Sequence, residues 1–494
     1  MSNAPHWRRG LHTAFLLQIV SAAVPALLVV LTIPLIRARL DVDTFATFTV
    51  LLSAVGLLAV LDGGLGRAST YFASLALKFG SRRRLIAVFQ GVLAVGLLLS
   101  VMLAATGALA VTVLGGGVVE TARPALFILL LFSPVFVACS LLRGLLEAQQ
   151  RFGRLSGLQL IHGIAIGVMP VVLFSFSNDV RVFAWMIGAA RVGFMLGLMH
   201  ASKLTTSDTW VVARSVPVHA KRVFDYAKWL FLSNVVGWTI VFADRMIVAA
   251  FFTSALVATY VLPMEVAARL QVIMAALCTV LFPRLVTRKS LGGSARLRVL
   301  VNAQGTVLCA FLLAAAVLSV FAEPMMRWWI GSEGARDAAQ VLVVGLVGIG
   351  LNACGALAML DLNSRGLTRP VAWLHLAELP PYLALLYFAA RSASVTMLLA
   401  VWILRMIADA VAMSLLARRG AMRGSARSPA ELVRSAMPWC IAAVSLLALY
   451  MTTLNPQILP MPLHSLALPV GVAAALLAGS KFVIQLRQSV QLAH

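Results

Sequence analysis

Residues 11–36 read LHTAFLLQIVSAAVPALLVVLTIPLI, with no Asp, Glu, Lys or Arg until Arg37 and Arg39 close the run. A signal-peptide core extends over roughly 7–15 residues, whereas crossing a hydrocarbon layer takes roughly 20 helical ones. The stretch is long enough to cross. It predicts an uncleaved first membrane span, even though Arg8 and Arg9 precede it and Ser21, Ala22 and Ala23 imitate a cleavage site. The rest of the chain repeats the pattern. Of its 494 residues 61% are apolar and only 12% charged, which places it outside the soluble range. Backbone groups in lipid must bond within their own segment, and continuous apolar runs without period-2 alternation mean helices and not barrel strands.

Apolar runs predict helices near 11–36, 44–77, 85–114, 124–147, 156–177, 182–202, 223–251, 256–283, 299–322, 338–361, 371–390 and 395–416. Two more, near 435–453 and 464–484, bring the expected number to fourteen. The formal charge of +23 would suggest nucleic acid in a soluble protein, but here the cations alternate with apolar spans and do not cluster with aromatics. Nucleic acid is not an expected partner. With the N-terminus inside, about 26 Lys and Arg fall in the inner segments against about 7 outside, which puts both termini in the cytoplasm. The densest inner patches are Lys78 with Arg82, Arg83 and Arg84; Arg284 to Arg298; and Arg418 to Arg434. They read as topological anchors at an anionic lipid surface. Cys139, Cys278, Cys309, Cys354 and Cys440 lie in apolar segments without paired spacing, which indicates neither a disulfide framework nor a metal site.

An internal repeat carries more weight than any single motif. The fourth span ends in Glu147, Ala148, Gln149, Gln150, Arg151, and the tenth in Asp361, Leu362, Asn363, Ser364, Arg365, an offset of 214. The same offset brings Arg191 onto Arg405, each halfway through its span. FATF at Phe45–Phe48 and VATY at Val257–Tyr260 match at 212. Six spans separate the copies, so the halves share an orientation, with a two-fold axis along the membrane normal and a cavity between lobes. The expected organisation is an N-lobe at 11–202, a cytoplasmic linker at 203–222, a C-lobe at 223–416, a basic linker at 417–434, and the last two helices within 435–485.

Ionisable groups inside a membrane require a partner, water or a function. Arg191, Arg405, Arg269, Arg67 and Arg143 are the cavity candidates. Helical spacing offers internal pairs for three of them: Arg269 with Glu265, Arg405 with Asp409, Arg143 with Glu147. Arg191 has no acid within a turn and therefore needs another helix or an anionic ligand. Asp244, Glu265, Asp62 and Asp409 are the candidates for coupling to an ion gradient, with pairing of Asp244 and its neighbour Arg245 as the alternative. His162 and His375 each stand alone on apolar spans and read as packed residues. Gly63, Gly64 and Gly66 weaken the second span beside Asp62 and Arg67, as a hinge or as a close helix contact. Pro134, Pro170, Pro263, Pro380 and Pro381 predict kinks.

Several stretches together resemble a known family: LTIPLIRARL (31–40) followed by FATF, LDGGLGRASTYFAS (61–74), LLRGLLEAQQRFGR (141–154), FADRMIVAAFFTSALVATYVLPMEVAARL (242–270) and CTVLFPRLV (278–286). The chain resembles the polysaccharide transporter family, the Wzx-type O-antigen and exopolysaccharide flippases of the multidrug/oligosaccharidyl-lipid/polysaccharide (MOP) exporter superfamily. The resemblance implies an all-α membrane protein with two pseudo-symmetric six-helix lobes around a central cavity, two extra C-terminal helices, and alternating access. It implies no enzymatic role, catalytic residue or cofactor. The cargo would be an undecaprenyl-pyrophosphate-linked oligosaccharide, an O-antigen, capsule or exopolysaccharide unit, moved to the periplasmic leaflet of a bacterial inner membrane. Proton or sodium gradients are the candidate energy sources; membrane lipids and the polysaccharide polymerase and chain-length machinery are the candidate partners. Where the family usually has glycines after the first span, this chain has Asp41 and Ala46, which leaves a DxD at Asp41 and Asp43. A metal-using membrane glycosyltransferase would need such acids, but also outer loops longer than this chain has. A lipid II flippase and a cation-coupled multidrug exporter share the repeat and stand as the alternatives within transport.

Overall fold

The computed structural model describes residues 6–41, 64–78, 82–113, 118–203, 216–251, 254–287, 293–330, 334–392 and 394–421, with isolated positions between 44 and 58 and at 332. The last two predicted spans lie outside the described residues, as do Asp62, Gly63 and Asp43. The described helices are α1 (His6–Arg37), α2 (Leu65–Lys78), α3 (Arg82–Val113), α4 (Val118–Leu131), α5 (Ser133–Ala148), α6 (Phe152–Leu173) and α7 (Val180–Ser202). They continue with α8 (Val216–Phe251), α9 (Ser254–Arg269), α10 (Gln271–Thr287), α11 (Gly293–Ile330), α12 (Ala335–Ser364), α13 (Thr368–Arg391) and α14 (Val395–Ala421). Seven spans among the described residues, or eight if α4 and α5 form one bent span, are long and apolar enough to cross a membrane. The fold is that of an all-α, multi-pass membrane protein.

Two predicted spans are interrupted. The fourth breaks at Phe132, where α4 and α5 meet at 45°. Pro134 sits in the first turn of α5, where its missing N–H costs nothing. The Phe132 ring packs against Gly188 and, at 5.7 Å, against Trp185 of α7. The eighth predicted span divides at Leu270 into α9 and α10. By contrast, α6 and α13 run through Pro170 and through Pro380 and Pro381 as single helices, because one lost backbone bond bends a helix without ending it.

Contacts divide the chain into two compact units, Met1–Asn234 with Ala275–Arg288, and Val235–Met274 with Lys289–His494. The division falls inside α8 and α10, not in the 203–222 segment. The first part of α8 is held to α2 by a Tyr71–Tyr226 stack at 4.6 Å and a Phe72–Tyr226 edge contact at 5.6 Å. The end of α10 joins the same unit through Val280, which packs with Ala14 of α1 and Phe152 of α6. In that unit α1 and α6 approach through Gly163 and Gly167, which face Pro25 and Leu28, and Gln18 donates to Ser156 at 2.8 Å. A core of Phe48, Leu51, Leu129, Phe174, Phe183 and Ile187 closes around a Phe48–Phe183 contact at 5.0 Å. In the second unit α12 is central. It turns Gly345 to Met264 of α9, Gly350 to Phe311 of α11, and Gly348 and Gly355 to Trp402 and Asp409 of α14. Gln304 of α11 ties three helices, donating to the Cys354 carbonyl at 2.8 Å and to Ser414 at 2.9 Å.

The repeat is present, but its register differs from the one read in sequence. After α5 the backbone runs through Gln149 (φ −72°, ψ −4°), Gln150 (φ 56°) and Arg151 (φ −86°, ψ 50°). After α12 it runs through Arg365 (φ −87°, ψ −9°), Gly366 (φ 86°) and Leu367 (φ −87°, ψ 55°). The turn bonds agree: the amides of Arg151 and Leu367 reach the carbonyls of Leu146 and Leu362. The offset here is therefore 216, not 214, and Asp361 occupies the place of Leu145. At the starts of α7 and α14 the caps Asp179 and Ser394 are 215 apart. On that register Arg191 corresponds to Met406. Arg405 stands at nearly the same depth, but roughly 100° away around its helix.

Candidate functional site

The first unit gathers its charge where α5, α6 and α7 meet. Arg191, half-buried on α7, lies over the Phe136 ring of α5 at 4.4 Å from its centroid. Its Nε has no hydrogen-bond partner, and among the described residues it makes no ion pair. The Cys139 thiol donates to the Arg191 carbonyl at 3.6 Å. His162 of α6 stacks on Phe194 at 4.6 Å, and its Nε2 is likewise without a partner. An arginine over an aromatic face gains about 2 kcal/mol when desolvated, less than the charge gives up on leaving water. The balance favours an anion. Arg143, one turn towards the end of α5, is 45% exposed and pairs with Glu147 at 3.5 Å, as its i, i+4 spacing predicts. Glu147 also accepts from Thr70 of α2 at 3.1 Å.

In the second unit the charges fall on the facing sides of α13 and α14. His375, Glu378 and Tyr382, at i, i+3 and i+7, meet Arg405 and Asp409 at i and i+4, so both sets lie along the shared face. Arg405 Nη2 is 3.7 Å from Glu378 Oε2, with side chains 9% and 12% exposed. Its partner is thus not Asp409, as helical spacing had suggested. Asp409 instead faces His375, 3.8 Å away, so His375 is not the isolated packed residue expected from sequence. Around this quartet Glu378 Oε1 and Oε2, Tyr382 Oη, Arg405 Nε and Asp409 Oδ1 have no hydrogen-bond partner. Asp244 of α8 accepts from Tyr260 of α9 at 2.9 Å, and both are buried.

The remaining sequence candidates separate. Arg67 donates to the Cys278 carbonyl at 3.4 Å and lies over the Phe282 ring at 5.1 Å, contacts within the first unit. Arg269, the last residue of α9, is exposed, while the side chains of Glu265 and Arg245 lie outside the described residues. Gly64 takes φ 78° immediately before α2, and Gly66 presents its carbonyl to Gly144 of α5. Gly64 meets a backbone requirement, and the close approach calls for glycine at Gly144, where a Cβ would meet the Gly66 carbonyl. Asp41 accepts the Thr44 amide at 3.0 Å, a turn-capping contact. Sequence reasoning passed over Glu378, Tyr382 and Phe136. Glu378 was findable, because it lies one turn from His375 inside an apolar span.

A third cluster closes α12. Asp361 accepts from both Arg296 of α11 and Arg365, Arg296 also donates to Ser364, and Arg365 reaches the Ala417 carbonyl of α14 at 3.2 Å. Here two arginines share one carboxylate whose oxygens are both taken, while Arg365 Nε has no partner.

No protein-family profile matches the chain. It is 24% identical over 410 residues to a "putative O-antigen transporter" of Shigella flexneri, covering 79% of this chain and 93% of that one. Among solved structures, a MOP superfamily transporter from Pyrococcus furiosus, described as having a binding pocket of reverse polarity, superposes with a TM-score of 0.71 at 14% identity. That match covers 83% of this chain and 95% of the other. A MATE transporter of Vibrio cholerae gives 0.70 at 18% identity, over 85% and 97%.

Proposed function

We propose that this chain, a MOP-type membrane transporter by its fold and its relatives, works as a flippase for an undecaprenyl-pyrophosphate-linked oligosaccharide, moving it from the cytoplasmic to the periplasmic leaflet of a bacterial inner membrane. The observation that carries the reading is Arg191, a cation inside a membrane span with an aromatic plate beneath it and, among the described residues, no carboxylate in an ion pair with it. A pyrophosphate supplies what is missing. Guanidinium binds phosphate oxygens bidentately, and an arginine cannot release its proton to escape the burial cost. Arg143 stands near enough to extend the cationic surface along α5. The polyprenyl tail would remain in lipid while the head follows the cations. Lipid-facing contacts, and delivery to a polysaccharide polymerase, belong to the same proposal.

The test is surface glycan in cells whose transporter carries Arg191→Ala or Arg191→Lys at normal protein levels. Loss with alanine and partial retention with lysine support the reading; full glycan with alanine refutes it. A cation-coupled multidrug exporter is the second reading, favoured by the buried carboxylates Glu378, Asp409 and Asp244. Export of a cationic dye that survives Arg191→Ala but fails with Glu378→Gln would select it.

A further inference from the structure

The outward-facing seam between α6 and α7 ends in a basic group that the candidate site does not use. The two helices run antiparallel: His162 stacks on Phe194, a Cβ on Gly197 would meet Leu158, and at the end Arg151 donates to the Ala201 carbonyl at 2.6 Å while Gln149 donates to that of Ser202. Arg154 lies one turn before Leu158 and His200 one turn after Gly197, so both flank the seam, and Lys203 follows His200 by three residues. All three are exposed, and among the described residues none has an ion pair or a side-chain hydrogen bond. Neither helix contains an aspartate or a glutamate. The last carbonyls of α7 are already met by Arg151 and Gln149, which leaves these side chains free to meet something else. Lys203 takes φ 58°, a left-handed cap position where glycine or asparagine is usual, so the backbone does not call for a lysine.

Position along the helices gives the depth. Ile161 and Leu196, 68% and 56% exposed, face the hydrocarbon, and Arg154 and His200 lie two turns and one turn beyond them, roughly 10 Å and 6 Å along the axes. The headgroup layer begins over that interval, since it adds roughly 5–8 Å to each side of the hydrocarbon. Between the apolar and the basic level the surface is notched: Gly153, Gly157 and Gly193 are exposed, and a Cβ on any of them would meet nothing within 4 Å. The second unit fills the same place. Carried from the turns into α6 and α13, the offset of 216 sets Gly157 against Trp373, whose indole is 51% exposed.

We propose that this end of the seam holds an anionic glycerophospholipid, its phosphate against Arg154, His200 and Lys203, its glycerol in the notch at Gly153 and Gly157, and an acyl chain along Ile161 and Leu196. The Lys and Arg bias sets this end at the cytoplasmic leaflet, where a polybasic group and anionic headgroups attract. Charge and shape select the occupant together. A basic patch alone takes any anion and an apolar seam alone takes any acyl chain, whereas a phosphate joined to acyl chains satisfies both. Unlike the basic loop patches that anchor the topology, this group is fixed on two packed helices around an open notch. The site does not depend on the identity of the cargo. It belongs to the first unit alone, because Trp373 occupies the corresponding notch in the second.

The experiment titrates the full chain in detergent with phosphatidylglycerol, or with phosphatidylcholine of the same acyl chains, and reads bound lipids by native mass spectrometry. Wild-type protein is expected to hold its first phosphatidylglycerol about 25-fold more tightly than Arg154→Gln with Lys203→Gln, at about fivefold for each cation beside a headgroup. Gly157→Trp, which gives the first unit the residue of the second, is expected to weaken the same lipid to a similar extent. Phosphatidylcholine should bind all three proteins equally and more weakly, and glycerol phosphate should not displace the lipid. Unchanged first-lipid affinity in the double variant overturns the proposal, and so does equal wild-type affinity for the two lipids. Displacement by glycerol phosphate also overturns it, in favour of a soluble anion. Arg154 and Lys203 are exposed and their side chains unbonded, so the double variant needs no repacking and decides the matter even if Gly157→Trp fails to fold. Every outcome leaves the flippase reading to the Arg191 glycan test.

Discussion

Replacing Asp361 by leucine, the residue its register partner Leu145 already is, asks how much the α12 lock contributes to stability. Asp361 is 2% exposed and holds two arginines, one of them, Arg296, with a side chain only 6% exposed. The substitution leaves Arg296 its bond to Ser364 and Arg365 its bond to the Ala417 carbonyl, but removes the neutralising charge from both. Breaking a buried pair from one side costs about 3–5 kcal/mol. For a unit of this size each kcal/mol moves the melting temperature by roughly 2–4 °C, so a fall of roughly 6–20 °C is expected. Thermal unfolding of the purified protein in one detergent, followed by intrinsic fluorescence and by size-exclusion profile, measures it. Adding Arg296→Met to Asp361→Leu should recover at least half the loss, because exchanging a whole buried pair for apolar side chains is close to neutral. A single-variant fall under roughly 2 °C would refute the argument that this cluster is a stabilising lock.

Three smaller perturbations test the backbone reading by the same melting assay. Gly64→Ala forces a Cβ into φ 78° against Leu230 and Asn234, and should cost about 1–2 kcal/mol. Gln150→Gly relieves the left-handed residue whose register partner is already Gly366, and should stabilise by up to about 1 kcal/mol. Asp179→Ala removes the α7 cap that accepts the Arg181 amide at 2.9 Å and should cost about 1 kcal/mol, with asparagine costing less. Hydrogen bonds from Arg181 hold the Asp179 carboxyl below the usual carboxylate range. A lowered folded-state pKa stabilises at pH above the unfolded value and is lost as pH falls through the folded one, so Asp179→Ala and wild type should converge in acid.

Length and apolarity made the spans legible, since a bilayer admits only helices and closed barrels, and the runs lack the period-2 alternation of barrel strands. The ends shifted by a few residues because helices extend into the interface beyond their apolar core, as α11 does at Gly293–Ile330 around the predicted 299–322. The repeat was legible, but its register was not. Matching acid to acid and arginine to arginine gave 214, while the turn places Gln149 opposite Arg365. Those two side chains perform one task, donating to the end of the last helix of each half: Gln149 to the Ser202 carbonyl and Arg365 to that of Ala417, each at 3.2 Å. Chemistry was retained where residue identity was not. The pairing of Arg405 was missed for a related reason. Spacing along one helix points to Asp409, and only the packing of α13 on α14 reveals Glu378 as the nearer carboxylate.

The shift in register also changes what the two mid-span arginines can do. As symmetric partners, Arg191 and Arg405 would be two copies of one ligand-binding group. Displaced by a residue, they face different surroundings: Arg191 meets an aromatic ring and other basic groups, whereas Arg405 meets the carboxylate of Glu378. Under the flippase reading, two unlike arginine sites would offer a transporter what two identical ones would not. A ligand with equal affinity for both states of a transporter would shift neither. The asymmetry between Phe136 and Glu378 as arginine neighbours is where the difference in affinity would arise.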